Sequence, residues 1–151
     1  TEPAEPWTLA DVPAGTLRLT EVMANPSACG DDVGEWVELH NTGDRAVDLT
    51  GLRLADNSGS TGVDTAHLLA AGDRAVLARS WEACDPTEVH GTFSAALSNG
   101  GDLVELLRPD DELLDAMSYG DADPGEVWVR DGEAWCTSDT PTPLAAEPAC
   151  L

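Results

Sequence analysis

Short apolar runs alternate with turn residues along most of the chain, a pattern typical of β-strands joined by tight loops. Asn25-Pro26, Arg108-Pro109 and the 98–102 stretch Ser-Asn-Gly-Gly-Asp are the clearest turn signals. The predicted strands cover residues 17–23, 36–39, 47–54, 67–69, 75–78, 93–97, 103–107, 113–117 and 126–129. Short strands separated by turns at intervals of roughly 8–12 residues predict an all-β fold, a sandwich of about eight or nine strands.

Alternation within the second predicted strand assigns its two faces. Val37 and Leu39 share one side with Glu35, and we expect that side to face the core. Trp36 then lies on the outer side with Glu38, where it either packs against a loop or forms a contact surface.

The length of 151 residues suits one domain with a substantial core. We expect residues 1–14, which are rich in proline and acid, to form a lead-in or linker. Residues 15–151 are predicted to form a single domain that ends in a proline-rich tail from Thr137 onward. Because the chain begins at Thr1 without methionine, we expect a leader or tag to have been removed, or the chain to be one domain of a longer protein.

Charge narrows the set of partners. Twenty-nine acidic residues face seven basic ones, giving a net charge of −22, and all seven are arginine. Nucleic acid and anionic membranes are therefore poor partners, because both are bound through Lys and Arg. No apolar stretch approaches the roughly 20 residues that span a membrane. The acidity then indicates a solvated surface, cation-binding loops or docking to a basic partner.

Four cysteines, Cys29, Cys84, Cys136 and Cys150, lack CxxC or zinc-ligand spacing. An even number in widely spaced loops indicates disulfides, for which three pairings are possible. We favour Cys136–Cys150, which would tie down the tail, and Cys29–Cys84, which would join two loops. Disulfides predict an extracellular, periplasmic or cell-surface location. The alternative is four buried free thiols.

Several segments together resemble the lamin-tail domain, an immunoglobulin-like β-sandwich. The segments are 17–26 (LRLTEVMANP), 34–41 (GEWVELHN), 46–56 (AVDLTGLRLAD), 97–102 (LSNGGD) and 140–143 (TPTP). Leu52 stands where the family usually has tryptophan. The acidic, cysteine-bearing sequence is similar to the exported prokaryotic type, whose members resemble accessory modules of secreted or surface proteins. The chromatin-binding role of nuclear members is not expected at a net charge of −22.

Catalytic motifs are weak throughout. The 59–62 stretch Gly-Ser-Thr-Gly is not a nucleophile elbow. The histidines, His40, His67 and His90, lack metal-binding spacing, and no phosphate-cradling loop followed by lysine is present. We therefore predict that the protein is not an enzyme and needs no cofactor other than possible calcium.

Calcium prefers six to eight hard oxygen ligands supplied by loops. Acidic loops supply six candidate carboxylate ligands, although the spacing of these residues does not match that of an EF-hand. The candidates are Asp31, Asp32, Asp56, Asp64, Asp121 and Asp123.

The sequence thus predicts a non-catalytic extracellular binding or anchoring module that presents loops on a disulfide-stapled scaffold. Its expected partner is a protein, a glycan or another domain of the same polypeptide. The alternatives are a structural spacer or assembly domain of a larger secreted protein, and a calcium-dependent adhesion module.

Overall fold

A computed structural model describes residues 4–150, so residues 1–3 of the predicted lead-in and the final Leu151 lie outside the described part. Twelve strands and one helical turn make up this part of the chain. They are β1 (Leu17–Met23), α1 (Asp31–Gly34), β2 (Trp36–Asn41), β3 (Val47–Asp48), β4 (Arg53–Asp56), β5 (Gly59–Gly62), β6 (Leu68–Leu69), β7 (Arg74–Ala78), β8 (Gly91–Thr92), β9 (Asp102–Leu107), β10 (Leu113–Tyr119), β11 (Val127–Asp131) and β12 (Ala134–Ser138).

Two main sheets face each other. One has six strands in the order β12-β11-β1-β2-β7-β8, and the other has four in the order β10-β9-β4-β5. Strands β3 and β6 form a separate pair. All the strand pairs are antiparallel except β7–β8. Side chains from both sheets, among them Leu39, Leu77, Leu54 and Leu106, fill one central core. The predicted all-β sandwich is confirmed.

The structure has more strands than the sequence predicted. The predicted strand 47–54 is divided into β3 and β4, and β5, β8 and β12 were not predicted, whereas residues 93–97, predicted as a strand, lie outside any strand. Strands β3, β6 and β8 have two residues each, and the Gly-Ser-Thr-Gly sequence of β5 carries no apolar side chain. Backbone pairing defines such strands, whereas hydrophobic alternation reports only strands with a buried face.

A bulge in β1 controls which side chains face the core. Leu19 pairs with Leu39 and Glu21 pairs with Glu38, so Thr20 is an extra residue in the ladder. Leu19 and Val22 therefore both lie in the central core. Glu21 consequently lies beside Glu38 on the outer face of the sheet. The Leu19 N–H, next to the bulge in sequence, donates to Asp115 Oδ2 at 2.7 Å.

The outer face of the six-stranded sheet is itself covered. Met23, Trp36 and Val76 belong to a second apolar cluster, against which Val89 and Leu144 pack. The alternation assigned Trp36 to the outer side correctly, yet its side chain is fully buried. The loop after β7 and the C-terminal tail therefore act as a third layer.

The lead-in segment packs onto the sandwich within the described residues. Trp7 bridges Val47, and Leu9 and Val12 are buried in the central core. The domain boundary after residue 14 stays a prediction, but residues 7–12 contribute directly to folding. Within residues 4–150, no helix has the length and apolarity needed to cross a membrane.

Candidate functional site

Four loops meet at one end of the sandwich, which we call the disulfide pole. They are residues 24–35, 79–90, 93–101 and 120–126. Each loop is joined to a strand at this same end of the sandwich. Met23 pairs with Trp36, Trp36 pairs with Ala78, and Tyr119 pairs with Asp102.

Covalent and hydrogen bonds hold these loops together. The Cys29–Cys84 disulfide joins the first loop to the second. Asn99 Nδ2 donates to Asp31 Oδ2 at 3.2 Å, and the Ala122 N–H donates to the Asn99 carbonyl at 3.0 Å. Asn25 Nδ2 donates to the Ala122 carbonyl at 2.9 Å and so links the fourth loop back to the first. The pole is therefore a braced surface.

Negative charge dominates the disulfide pole. Its loops contain nine acidic residues and Arg79 as their one Lys or Arg, although Glu35 is buried and Glu88 lies beside Gly72 and Asp73, near the start of β7. The acidic residues are Asp31, Asp32, Glu35, Glu82, Asp85, Glu88, Asp121, Asp123 and Glu126. Such a surface attracts cationic groups and repels anionic ones.

Trp81 projects from this surface. It is 55% exposed, three residues from Cys84, and is one of three exposed large hydrophobic residues in the described part of the chain, with Leu68 at 53% and Leu113 at 49%. Leu113 pairs with Leu107 at the start of β10 and therefore lies at the opposite end of the sandwich. Exposed tryptophans often mark recognition surfaces, because indole offers a large apolar area and one N–H donor.

Glu35 lies beneath the pole and is almost fully buried. Its Oε1 accepts a hydrogen bond from the Leu97 N–H at 2.8 Å and lies 3.5 Å from Arg79 Nη1. Burial raises the pKa of Glu35 to about 7, although the Leu97 N–H and Arg79 both act to lower it. Glu35, the last residue of the first loop, thus connects that loop to two others through one buried carboxyl.

The six predicted calcium ligands lie around this end of the molecule. Asp31 and Asp32 are on α1, and Asp121 and Asp123 lie in the loop after β10. Asp32 and Asp64 line one cavity of about 460 Å³ together with Arg79.

Asp56, at the end of β4, accepts hydrogen bonds from the Ser58 N–H and hydroxyl. Within residues 4–150, no three of the six candidates offer oxygens within 4.8 Å of one another. Calcium binding by these aspartates stays a prediction.

Two of the three histidines, His40 and His90, are held by backbone or carboxylate groups, and His40 Nε2 lies 3.1 Å from the Gly72 carbonyl oxygen. His90 Nδ1 accepts the Val76 N–H at 3.0 Å, and its Nε2 lies 3.2 Å from Glu88 Oε2. His67 packs against His90 with ring centroids 4.3 Å apart. Because Nδ1 of His90 is an acceptor, the neutral ring carries its proton on Nε2 and has no lone pair there for a metal.

The sequence reasoning missed a group of buried carboxylates on the outer face of the six-stranded sheet. Glu21, Glu38 and Glu147 each place one carboxylate oxygen within 4.8 Å of the others. Arg74 lies 3.0 Å from Glu147 and 3.6 Å from Glu38. We call this group the three-glutamate cluster. The only signal in the sequence was an acid at Glu21 and Glu38 inside apolar strands.

The C-terminal tail completes the three-glutamate cluster. The Thr142 N–H and hydroxyl both donate to Glu21 Oε1 at 3.0 Å, and the Leu144 N–H donates to Glu38 Oε2 at 2.6 Å. Burial raises the pKa of Glu21 to about 7. Burial and a hydrogen bond to Glu147 raise the pKa of Glu38 to about 9. These carboxyls therefore hold the tail on the sheet.

The lamin tail domain family model matches residues 11–121. The chain therefore belongs to the lamin tail domain family, as the strand motifs indicated, and has that family's immunoglobulin-like sandwich. The match includes β1 to β10 and ends before β11, β12 and the tail. No curated protein matches the chain in a sequence comparison.

Proposed function

We propose that this protein is a non-catalytic extracellular binding module that presents the disulfide pole to a protein partner. The observation that carries the proposal is exposed Trp81, set among acidic side chains on loops braced by a disulfide and hydrogen bonds. The fitting partner offers an apolar contact for the indole and cationic groups around it.

Three features support this role. Two disulfides fit an oxidising environment outside the cytosol. The rigidity of the pole lowers the entropy lost on binding, because its loops are already ordered. Membership of a family of immunoglobulin-like, non-catalytic domains favours complementarity over a reaction centre.

Affinity capture with matched variants tests the proposal. Oxidised wild type, Trp81→Ala and Leu113→Ala are immobilised and exposed to the envelope fraction and culture medium of the source organism. Leu113→Ala is the control, because Leu113 is exposed to a similar degree at the opposite end. We expect wild type and the control to retain the same protein, and Trp81→Ala to bind it at least about tenfold more weakly.

Raising the salt concentration during capture tests the acidic surroundings separately. The association rate is expected to fall with salt, since steering by surface charge is screened. Equal capture by Trp81→Ala and wild type would contradict the proposal and favour a spacer or assembly role.

A further inference from the structure

The three-glutamate cluster unites carboxylates from three separate parts of the chain. Glu21 and Glu38 are neighbours on β1 and β2, and Glu147 arrives with the tail. Glu21 and Glu38 have no exposed surface, and the Glu147 side chain is 12% exposed. This cluster shares no residue with the disulfide pole.

Positive charge in the cluster falls short of the three carboxylates. Arg74 makes two contacts with Glu147, at 3.0 and 3.3 Å, and lies 3.6 Å from Glu38. One guanidinium balances the charge of one ionised carboxylate, so two ionised carboxylates would remain without a countercharge. Buried carboxylates without a countercharge are costly, so either protons or a cation must complete the balance.

One carboxylate oxygen has no partner. Glu21 Oε1 accepts two bonds from Thr142, whereas Glu21 Oε2 is buried and accepts no hydrogen bond. Within residues 4–150, the only other such side-chain atom is Trp36 Nε1. An open, buried carboxylate oxygen beside two further carboxylates supplies hard, anionic oxygen ligands of the kind that calcium and magnesium bind.

We propose that the three-glutamate cluster binds one divalent cation of the calcium and magnesium class, which fastens the C-terminal tail to the six-stranded sheet. The ligands are carboxylate oxygens of Glu21, Glu38 and Glu147. A cavity of about 270 Å³, lined by Thr20 and Glu147 among others, reaches the edge of the cluster and supplies an entry path. Arg74 remains paired with Glu147 and compensates the third negative charge.

The family match supports treating this site as a feature of this chain. It ends at residue 121, so Glu147 and the Cys136–Cys150 disulfide lie beyond it. The six aspartates predicted from the sequence are a different set of side chains, and calcium bound by them is a distinguishable result.

Ion binding to the oxidised, EDTA-treated full chain tests the proposal. Calorimetric titration with CaCl₂ and MgCl₂ at fixed ionic strength is expected to give one ion per chain with proton release, because a cation displaces protons from the carboxyls. Thermal unfolding with calcium in about hundredfold excess over Kd is expected to raise Tm by about 5 °C relative to EDTA.

Matched glutamine variants locate the site. Glu21→Gln is expected to abolish both the titration and the Tm shift, and Glu147→Gln serves as a second variant if Glu21→Gln does not fold. Glu35→Gln is the control, because Glu35 is an equally buried glutamate outside the cluster; it should keep both effects. Trp81→Ala should also keep them, so failure here is separable from failure of partner binding.

Three results would overturn the proposal. Absence of stoichiometric binding would mean that protons alone balance the cluster. Unchanged binding by Glu21→Gln and Glu147→Gln would place the ion elsewhere. Loss of binding in Asp32→Asn with Asp64→Asn, but not in Glu21→Gln, would place it at the predicted aspartates.

Discussion

At the scale of single residues, Glu35 shows how burial changes the chemistry of a strand carboxylate. The residue is 1% exposed, and its Oε1 lies between the Leu97 N–H and Arg79. Its pKa in the folded protein is about 7, above the value of 4.5 that it has in the unfolded chain. The folded state therefore binds this proton more tightly, and stability from Glu35 is full below pH 4.5 and lost as pH rises through 7.

Glu35→Gln is expected to remove this pH dependence. Between pH 4.5 and pH 8, the wild type should lose about 3 kcal/mol of unfolding free energy relative to the variant. Urea unfolding at several pH values measures it. Arg79→Gln removes a charge that favours the ionised form and should steepen the loss. Parallel curves for wild type and Glu35→Gln would contradict this assignment.

At the scale of elements, the C-terminal tail forms part of a third layer over the six-stranded sheet. Leu144 packs on the second apolar cluster, and the Thr142 and Leu144 N–H groups donate to Glu21 and Glu38. The Cys136–Cys150 disulfide closes this segment over a separation of 14 residues. A polar tail with little apolar area of its own is thus held by buried acceptors and one covalent bond.

Replacing Cys136 and Cys150 by serine is expected to loosen the tail selectively. The chain-entropy cost predicts a loss of about 3 kcal/mol in unfolding free energy. Hydrogen exchange of residues 139–150 should accelerate, and the total tryptophan fluorescence should shift toward longer wavelength as Trp36, one of five tryptophans, becomes exposed. The double serine variant of Cys29 and Cys84 is the control, and should destabilise the protein while the tail stays protected. Equal exchange in both variants would argue against selective release.

At the scale of the whole molecule, all seven arginines make contacts with neighbouring side chains. Six of them form ion pairs within the described residues, and Arg45 packs over Trp7 at 5.3 Å from the ring centroid. The remaining acidic side chains repel one another, so the net charge of −22 acts against the compact state.

Stability is therefore expected to rise with ionic strength. Tm should increase by several degrees from about 10 mM to about 500 mM NaCl, because screening weakens the repulsion more than it weakens the scattered ion pairs. Differential scanning fluorimetry in NaCl and KCl, with EDTA present, separates screening from divalent binding. A flat or falling Tm would show that the ion pairs outweigh the repulsion.

The sequence by itself determined the fold class and the family, and it favoured the disulfide pairing that the structure contains. Alternation at Val37 and Leu39, turn residues between strands and the motif around Trp36 are local signals, and local signals suffice where each strand has one face in the core. Widely spaced cysteines favoured Cys29–Cys84 and Cys136–Cys150, and the structure contains both bonds.

Only the tertiary structure decided which polar groups are buried and which loops meet. The bulge at Thr20 turns Glu21 outward, and a segment more than 100 residues later covers it. The exposure of the tryptophans was decided in the same way. Trp36 is fully buried beneath the third layer, whereas Trp81 is 55% exposed. Alternation assigns a side chain to a face, but burial depends on what packs over that face from distant parts of the chain.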